Sequence, residues 1–427
     1  MTKASEETTR DTKLYGSPFR ASPQTWRTRT VVSLMVLGAV VTALSLRPAA
    51  TAIGPVLSEI TAGLSLSSTE AGLLTALPGF CFAIVGLLAN RLTSWAGVTG
   101  SLILAMTITA IGMFVRVQTG AWEWFLFFSI LAMAGAAIGN VVLPAYIKAE
   151  FPKRAAAMAT VYTTALAVGS TLPVLLATSI TQTVDASYPG TGWRVALGVW
   201  GVFALVALLI WVLLYIRVPH FRGRGEVAKR SGHWWNMFRS PTAVALMFFF
   251  GLQSMQAYIQ FGWAPSAYRA GGLNPDAAGI MMTIIGLCGI PGGLIMPGVV
   301  ARRRGLRPAI VLFGVFLAVG YLGIAFAPTT VPWLWALCLG ISGFCFPTAL
   351  ALIIERTRKP GVTASVSGFV QPIGYLLAGG GPFLVGAAFG QVGSWPPILV
   401  VLACTSVLLV GAGLVATRDR YIDDELR

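Results

Sequence analysis

Apolar runs separated by short polar breaks recur along the whole chain. They occupy 30–58, 70–91, 96–117, 121–148, 154–179 and 192–216 and, after a polar stretch, 241–268, 276–300, 307–327, 331–354, 361–390 and 395–417. Each run meets or exceeds the roughly 20 apolar residues that a helix needs to cross a hydrocarbon core. Backbone groups have no water to bond with at that depth, so such runs must be helical. The pattern predicts an all-α integral membrane protein with twelve transmembrane helices.

The longest polar interruption divides the runs six and six. It predicts an N-terminal tail over 1–29, a six-helix bundle over 30–217, a linker over 218–240, a second bundle over 241–417 and a tail over 418–427. The linker, RVPHFRGRGEVAKRSGHWWNMFRS, suits either a tether or an amphipathic surface helix. The two halves also repeat. GLLANRLTSWAG (86–97) aligns with GVVARRRGLRPA (298–309), Pro144 and Glu150 with Pro347 and Glu355, and Pro173 with Pro382. Several matches in one order, about 200–210 residues apart, describe a parallel six-plus-six repeat.

Composition sharpens this picture. Of 427 residues, 56% are hydrophobic and only 11% charged, with a mean hydropathy of +0.77. Soluble domains carry about 25% charged residues. The net charge of +15 does not signal nucleic acid, because the basic residues gather in alternate loops. One side holds Arg91, Lys148, Lys153, Arg154, Arg302, Arg303, Arg304, Arg307, Arg356, Arg358 and Lys359, with the basic tails and linker; the other holds Arg116, Arg194 and Arg269. Positive loops stay inside, so both termini are expected in the cytoplasm of a bacterial cell, beneath its plasma or inner membrane. Tryptophans near the ends of runs (Trp122, Trp124, Trp193, Trp333, Trp335, Trp395) fit an interfacial belt. The five cysteines lie in apolar runs without metal-ligand spacing, and are expected as core thiols.

The first run, VVSLMVLGAVVTALSLRPAATAIGPVL, carries Arg47 in its middle. The sixteen residues before Arg47 and the ten after it are uncharged. An arginine at that depth costs about 2.5–3.5 kcal/mol on insertion scales unless water or a partner relieves it. Pro48 and then Gly54-Pro55 predict a broken helix at that point. A cation kept in a broken span reads as one that faces a watery cavity.

GLLANRLTSWAG resembles the major facilitator superfamily motif Gly-x-Leu-Ala-Asp-Arg-x-Gly, with Gly86, Leu88, Ala89 and Arg91 matching, Asn90 in place of the acid and Thr93 in place of glycine. The second copy keeps Ala301, Arg303 and Gly305, with Arg302 at the acidic position. LRPAATAIGPVLSEI, STEAGLLTALPGFCFAIVGLLA, GNVVLPAYIKAEFP and GFCFPTALALIIERT are similar to the cyanate and nitroimidazole transporter branch. The resemblance implies a secondary carrier working by alternating access, with spans one, four, seven and ten lining the cavity.

Candidate solute ligands follow from that lining. Beside Arg47 they are Asn140 in the fourth span, and Gln256, Gln260 and Trp263 in GLQSMQAYIQFGWAP of the seventh. Gln253, Gln256 and Gln260 share one helical face. Tyr162 in the fifth span and Gln371 and Tyr375 in the eleventh are further candidates. No acid or histidine lies near mid-span: Glu150 and Glu355 sit at span ends, and His220 and His233 in the linker. With Arg47 permanently protonated, the cavity is positive and suits a small anionic or strongly dipolar solute; an efflux carrier for neutral drug-like compounds is the alternative reading, and a non-transporting membrane receptor a further one. No converging nucleophile, base or metal ligands point to an enzyme, a cofactor or a metal, and no phosphate-binding loop points to ATP hydrolysis. Expected partners are the solute and the bilayer, without nucleic acid, for a monomer. Arg91 with Glu150, and Arg303 with Glu355, are expected to form paired gating latches.

Overall fold

The structure is a computed structural model that describes residues 28–151, 154–219, 234–302 and 305–426. Twelve helices are long and apolar enough to span a membrane: α1 (Arg29–Leu64), α2 (Ser68–Val85), α3 (Trp95–Arg116), α4 (Trp122–Glu150), α5 (Thr160–Asp185), α6 (Gly192–Arg217), α7 (Pro241–Ala270), α8 (Pro275–Arg302), α9 (Leu306–Phe326), α10 (Pro332–Glu355), α11 (Ser365–Val392) and α12 (Trp395–Ala416). Among the described residues there is no strand. An even number of spans returns the chain to the side where it began, called here the termini side.

The breaks have local causes. α2 opens on a capping box, in which the Ser67 hydroxyl accepts from the Glu70 N–H while the Glu70 carboxylate accepts from the Ser67 N–H at 2.8 Å. The backbone stays helical from α2 into the start of α3 and kinks at Gly97, whose φ of 70° and ψ of 175° suit glycine alone. In α1 the regular helix stops at Ser45 and resumes at Leu57. Between them lie a four-residue turn, Pro48–Thr51, and a short 3-10 turn, Gly54–Val56. Pro48 has no N–H to offer the Leu44 carbonyl. α5 passes that carbonyl at Gly169, where an added Cβ would lie 2.4 Å from the oxygen.

Within the first half, Trp211 of α6 donates its Nε1–H to Thr42 of α1 at 2.8 Å and stacks edge-on against Tyr146 of α4. In the second half α7 is the most enclosed span, so it runs through the middle of that half. The halves meet where α2 crosses α11, where α1 crosses α7 and where α5 passes α8. A Cβ on Gly79 would lie 2.4 Å from the Gly379 nitrogen, and one on Gly72 would lie 3.1 Å from the Gly386 Cα. A Cβ on Gly54 would overlap the Phe261 carbonyl, and Gly286 abuts Thr171. Most of these contacts belong to the half of the molecule away from the termini. There Glu59 of α1 also pairs with Arg269 of α7 at 3.1 Å. The far side is therefore closed.

Candidate functional site

Arg47 sits at the break in α1, capping the Pro48 turn without a side-chain bond to it. Its carbonyl accepts from the N–H groups of Ala50 and Thr51, both at 3.0 Å, so the backbone of the break is internally satisfied and the side chain is left to reach outward. Its guanidinium carbon lies 5.8 Å from the centre of the Phe82 ring of α2, within cation–π range. The hydroxyls of Tyr258 on α7, Tyr162 on α5 and Tyr375 on α11 all lie within the field of its charge. Tyr375 packs against Phe82 at 5.3 Å, Tyr258 at 6.4 Å and Phe250 at 5.1 Å. Tyr162 donates to the Asn140 Oδ1 of α4 at 3.1 Å. Side chains from both halves thus surround one cation with aromatic faces and hydroxyls.

No carboxylate among the described residues comes within ion-pair distance of Arg47, which keeps part of its surface exposed. A partly desolvated guanidinium without a counter-ion attracts negative charge far more strongly than it would in bulk water.

The structure brings together Arg47, Asn140, Tyr162 and Tyr375 and separates the α7 residues from them. Gln256 donates to Thr405 of α12 at 2.6 Å and accepts from Tyr321 of α9 at 2.6 Å. Gln260 lies against the same Tyr321, in a small cavity shared with Trp263 and Trp395. Trp263 donates to the Pro382 carbonyl at 3.0 Å. These side chains tie α7 to α9, α11 and α12 inside the second half. The geometric reason is simple: at 100° per residue, Tyr258 lies about 200° around the helix from both Gln256 and Gln260. Gln371 lies one turn before Tyr375 on the same face of α11 and donates to Ser367 at 2.7 Å. Tyr258 and Phe82 escaped the sequence reading; the signal for Tyr258 was its place on the face of α7 opposite the glutamines.

The gating residues fare differently. The Arg91 side chain and the whole of Arg303 lie outside the described residues, as does most of the linker, 220–233. Glu150 is buried and Glu355 half-buried, each engaged with neighbours.

A family model described as Major Facilitator Superfamily matches residues 30–382. The chain belongs to the Major Facilitator Superfamily. This superfamily member is 34% identical over 397 residues to the "Uncharacterized transporter YycB" of Bacillus subtilis (strain 168), covering 91% of this chain and 94% of that one. It is 30% identical to the 2-nitroimidazole transporter of Escherichia coli (strain K12), over 91% and 96% of the two chains. Against the cyanate transport protein CynX of the same organism the identity is 26%, over 90% and 96%. Its fold matches the crystal structure of the nucleoside transporter NupG with a TM-score of 0.72 at 14% identity, covering 92% of this chain and all of that one. The D-xylose-proton symporter gives a TM-score of 0.67 at 16% identity, over 91% and 96%. The chain is accordingly a multi-pass membrane transporter of this superfamily, and the likeness to the cyanate and nitroimidazole carriers spans both halves.

Proposed function

We propose that this transporter carries a small planar solute with an anionic or strongly dipolar end, bound between its halves at Arg47. The observation that carries this reading is the Arg47 guanidinium held without a carboxylate partner among Phe82, Tyr162, Tyr258 and Tyr375. The guanidinium fork binds oxygen pairs, such as those of a carboxylate or nitro group, through two parallel hydrogen bonds. The aromatic faces suit a flat body, and the hydroxyls of Tyr258 and Tyr162 orient it. Relatives named for 2-nitroimidazole and for cyanate offer one solute of each kind.

Transport proceeds by alternating access, with both termini in the cytoplasm and the far side outside the cell. The closed far side and the exposure of Arg47 support an inward-facing state. In this reading Asn140, Tyr162 and Gln371 line the inward path, while Gln256, Gln260 and Trp263 act on the site by fixing the rotation of α7. Arg91–Glu150 and Arg303–Glu355 remain the proposed latches of the cytoplasmic side.

The aromatic lining also favours a second reading, export of neutral nitroaromatic compounds, in which the nitro group alone meets Arg47. Proteoliposomes separate the two. Uptake of labelled cyanate and of 2-nitroimidazole is measured for the parent and for Arg47→Gln at matched abundance. Loss of transport in the variant supports the site. Undiminished transport in Arg47→Gln overturns it.

A further inference from the structure

After α12 the chain does not trail away. Residues 418–426 fold back beneath the second half, with a short helix, α13 (Ile422–Glu425), whose Ile422 is wholly buried. The segment is acidic, and its carboxylates are all spoken for. Asp423 accepts from the backbone N–H groups of Arg358 at 2.8 Å and Lys359 at 3.3 Å, immediately before the helical run that begins at Pro360 and becomes α11. Glu425 accepts from the Thr242 N–H at 3.1 Å and the Thr242 hydroxyl at 2.8 Å, and also from the Ser240 hydroxyl, the cap of α7. One carboxylate thus caps the first turn of α7, and the other holds the two residues that lead into the run before α11, each beside a helix N-terminus whose dipole favours an anion.

Further contacts fasten the segment to α10. The buried Arg356 at the end of α10 donates to the Ala416 and Thr417 carbonyls and pairs with Asp419 at 3.4 Å, while its own carbonyl accepts from the Ile422 N–H at 2.9 Å. Arg358 pairs with Asp424 at 3.1 Å and lies 4.0 Å over the Tyr421 ring. The charge asymmetry of the loops accounts for Arg356 and Arg358 being basic; it does not account for their pairing with this segment.

α7 and α11 are the two helices of the second half that deliver Tyr258 and Tyr375 to Arg47. We propose that residues 419–426 form a brace that fixes the termini-side ends of α7 and α11 relative to each other, so that Tyr258 and Tyr375 move as a pair; Asp423 and Glu425 are its positioning residues. This inference rests on the reading of Arg47 as the solute site. The brace ties second-half elements to one another, so it makes that half swing as one body. Rocking of the halves then brings both tyrosines to the solute, or withdraws both, together.

The test uses the full chain in lipid nanodiscs, with the exposed Cys404 replaced by serine and the four buried cysteines retained. Spin labels at Ala257→Cys and Leu376→Cys report the distance between α7 and α11 beside the two tyrosines. Asp423→Asn combined with Glu425→Gln, and separately truncation after Thr417, are expected to broaden that distance distribution while the protein stays monodisperse. In proteoliposomes the same variants are expected to raise the half-saturation concentration for cyanate or 2-nitroimidazole several-fold, with most of the maximal rate retained. An unchanged distance distribution in the double variant overturns the brace. A broadened distribution with unchanged half-saturation overturns its positioning role. If the parent moves neither probe, the solute reading fails, and the spin-label pair alone still decides whether the brace holds the two helices in register.

Discussion

At the scale of single residues, Arg47 dominates, with no carboxylate within ion-pair distance among the described residues. A hydrogen bond to a charged group contributes about 1.5–3 kcal/mol, so removing the Arg47 fork should weaken solute binding roughly tenfold to a hundredfold. Arg47→Lys keeps the charge but loses the planar geometry. Its expected phenotype is normal insertion with poor transport, checked by labelled-solute uptake at equal surface abundance. Tyr258 and Gln256 provide a contrast within two residues. Tyr258→Phe removes a hydroxyl that lies within the field of Arg47, and should raise the half-saturation concentration several-fold with little change in thermal stability. Gln256→Leu breaks the bonds to Thr405 and Tyr321, each worth about 0.6–1.7 kcal/mol between membrane helices. It should lower the melting temperature in detergent and leave solute affinity nearly intact. The opposite pattern in this pair would place the glutamine face, not Tyr258, at the solute.

Elements show what was legible in the chain and what was not. The twelve spans could be read because run length alone decides them: the predicted 241–268 and the observed Pro241–Ala270 differ only at one end. The break at Arg47 was legible too, since Pro48 and Gly54-Pro55 act locally. Which face of α7 turns toward Arg47 was not. Both faces carry polar side chains, and only packing against α9 and α12 decides which bonds are made inside the bundle. The brace was illegible for a similar reason, because Asp423 and Glu425 find their donors more than 60 residues away along the chain.

The far-side ion pair gives an element-scale prediction. Glu59 and Arg269 are both partly exposed, so their pair contributes only about 0.2–1 kcal/mol. That shifts a two-state equilibrium up to about fivefold. Glu59→Arg or Arg269→Glu alone should raise labelling of cysteines placed on the far side, and the double swap should restore the parental level. Failure of the swap to restore it would show that the two residues act separately.

For the molecule as a whole, the proposed site implies a mode of coupling. Near Arg47 the described residues offer no acid or histidine to carry a proton through the site. Transport of a permanently charged solute should therefore respond to membrane potential and only weakly to a pH gradient. With the potential clamped, an uncoupler should leave cyanate uptake largely unchanged. Strict proton dependence that disappears in a Glu150→Gln/Glu355→Gln variant would reassign coupling to those glutamates. The seam between the halves sets which state is populated. Gly79→Ala places a methyl against Gly379, and overpacking of this kind costs about 1–3 kcal/mol. The variant should shift toward the far-side-open state by roughly tenfold, read by the same far-side labelling.

Where α2 crosses α11, backbone meets backbone at Gly72, Gly79, Gly379 and Gly386. At these four positions the joint has no side chains of its own to unpick and no rotamers to rearrange when it parts. Its opening barrier comes mainly from exchanging one set of weak contacts for lipid or water, so the joint can cycle quickly and close again in the same register. The same bareness makes it intolerant in one direction only. Nothing can be trimmed from these positions, and any atom added holds the joint ajar, so drift at the seam would alter which way the carrier faces long before it unfolded the protein.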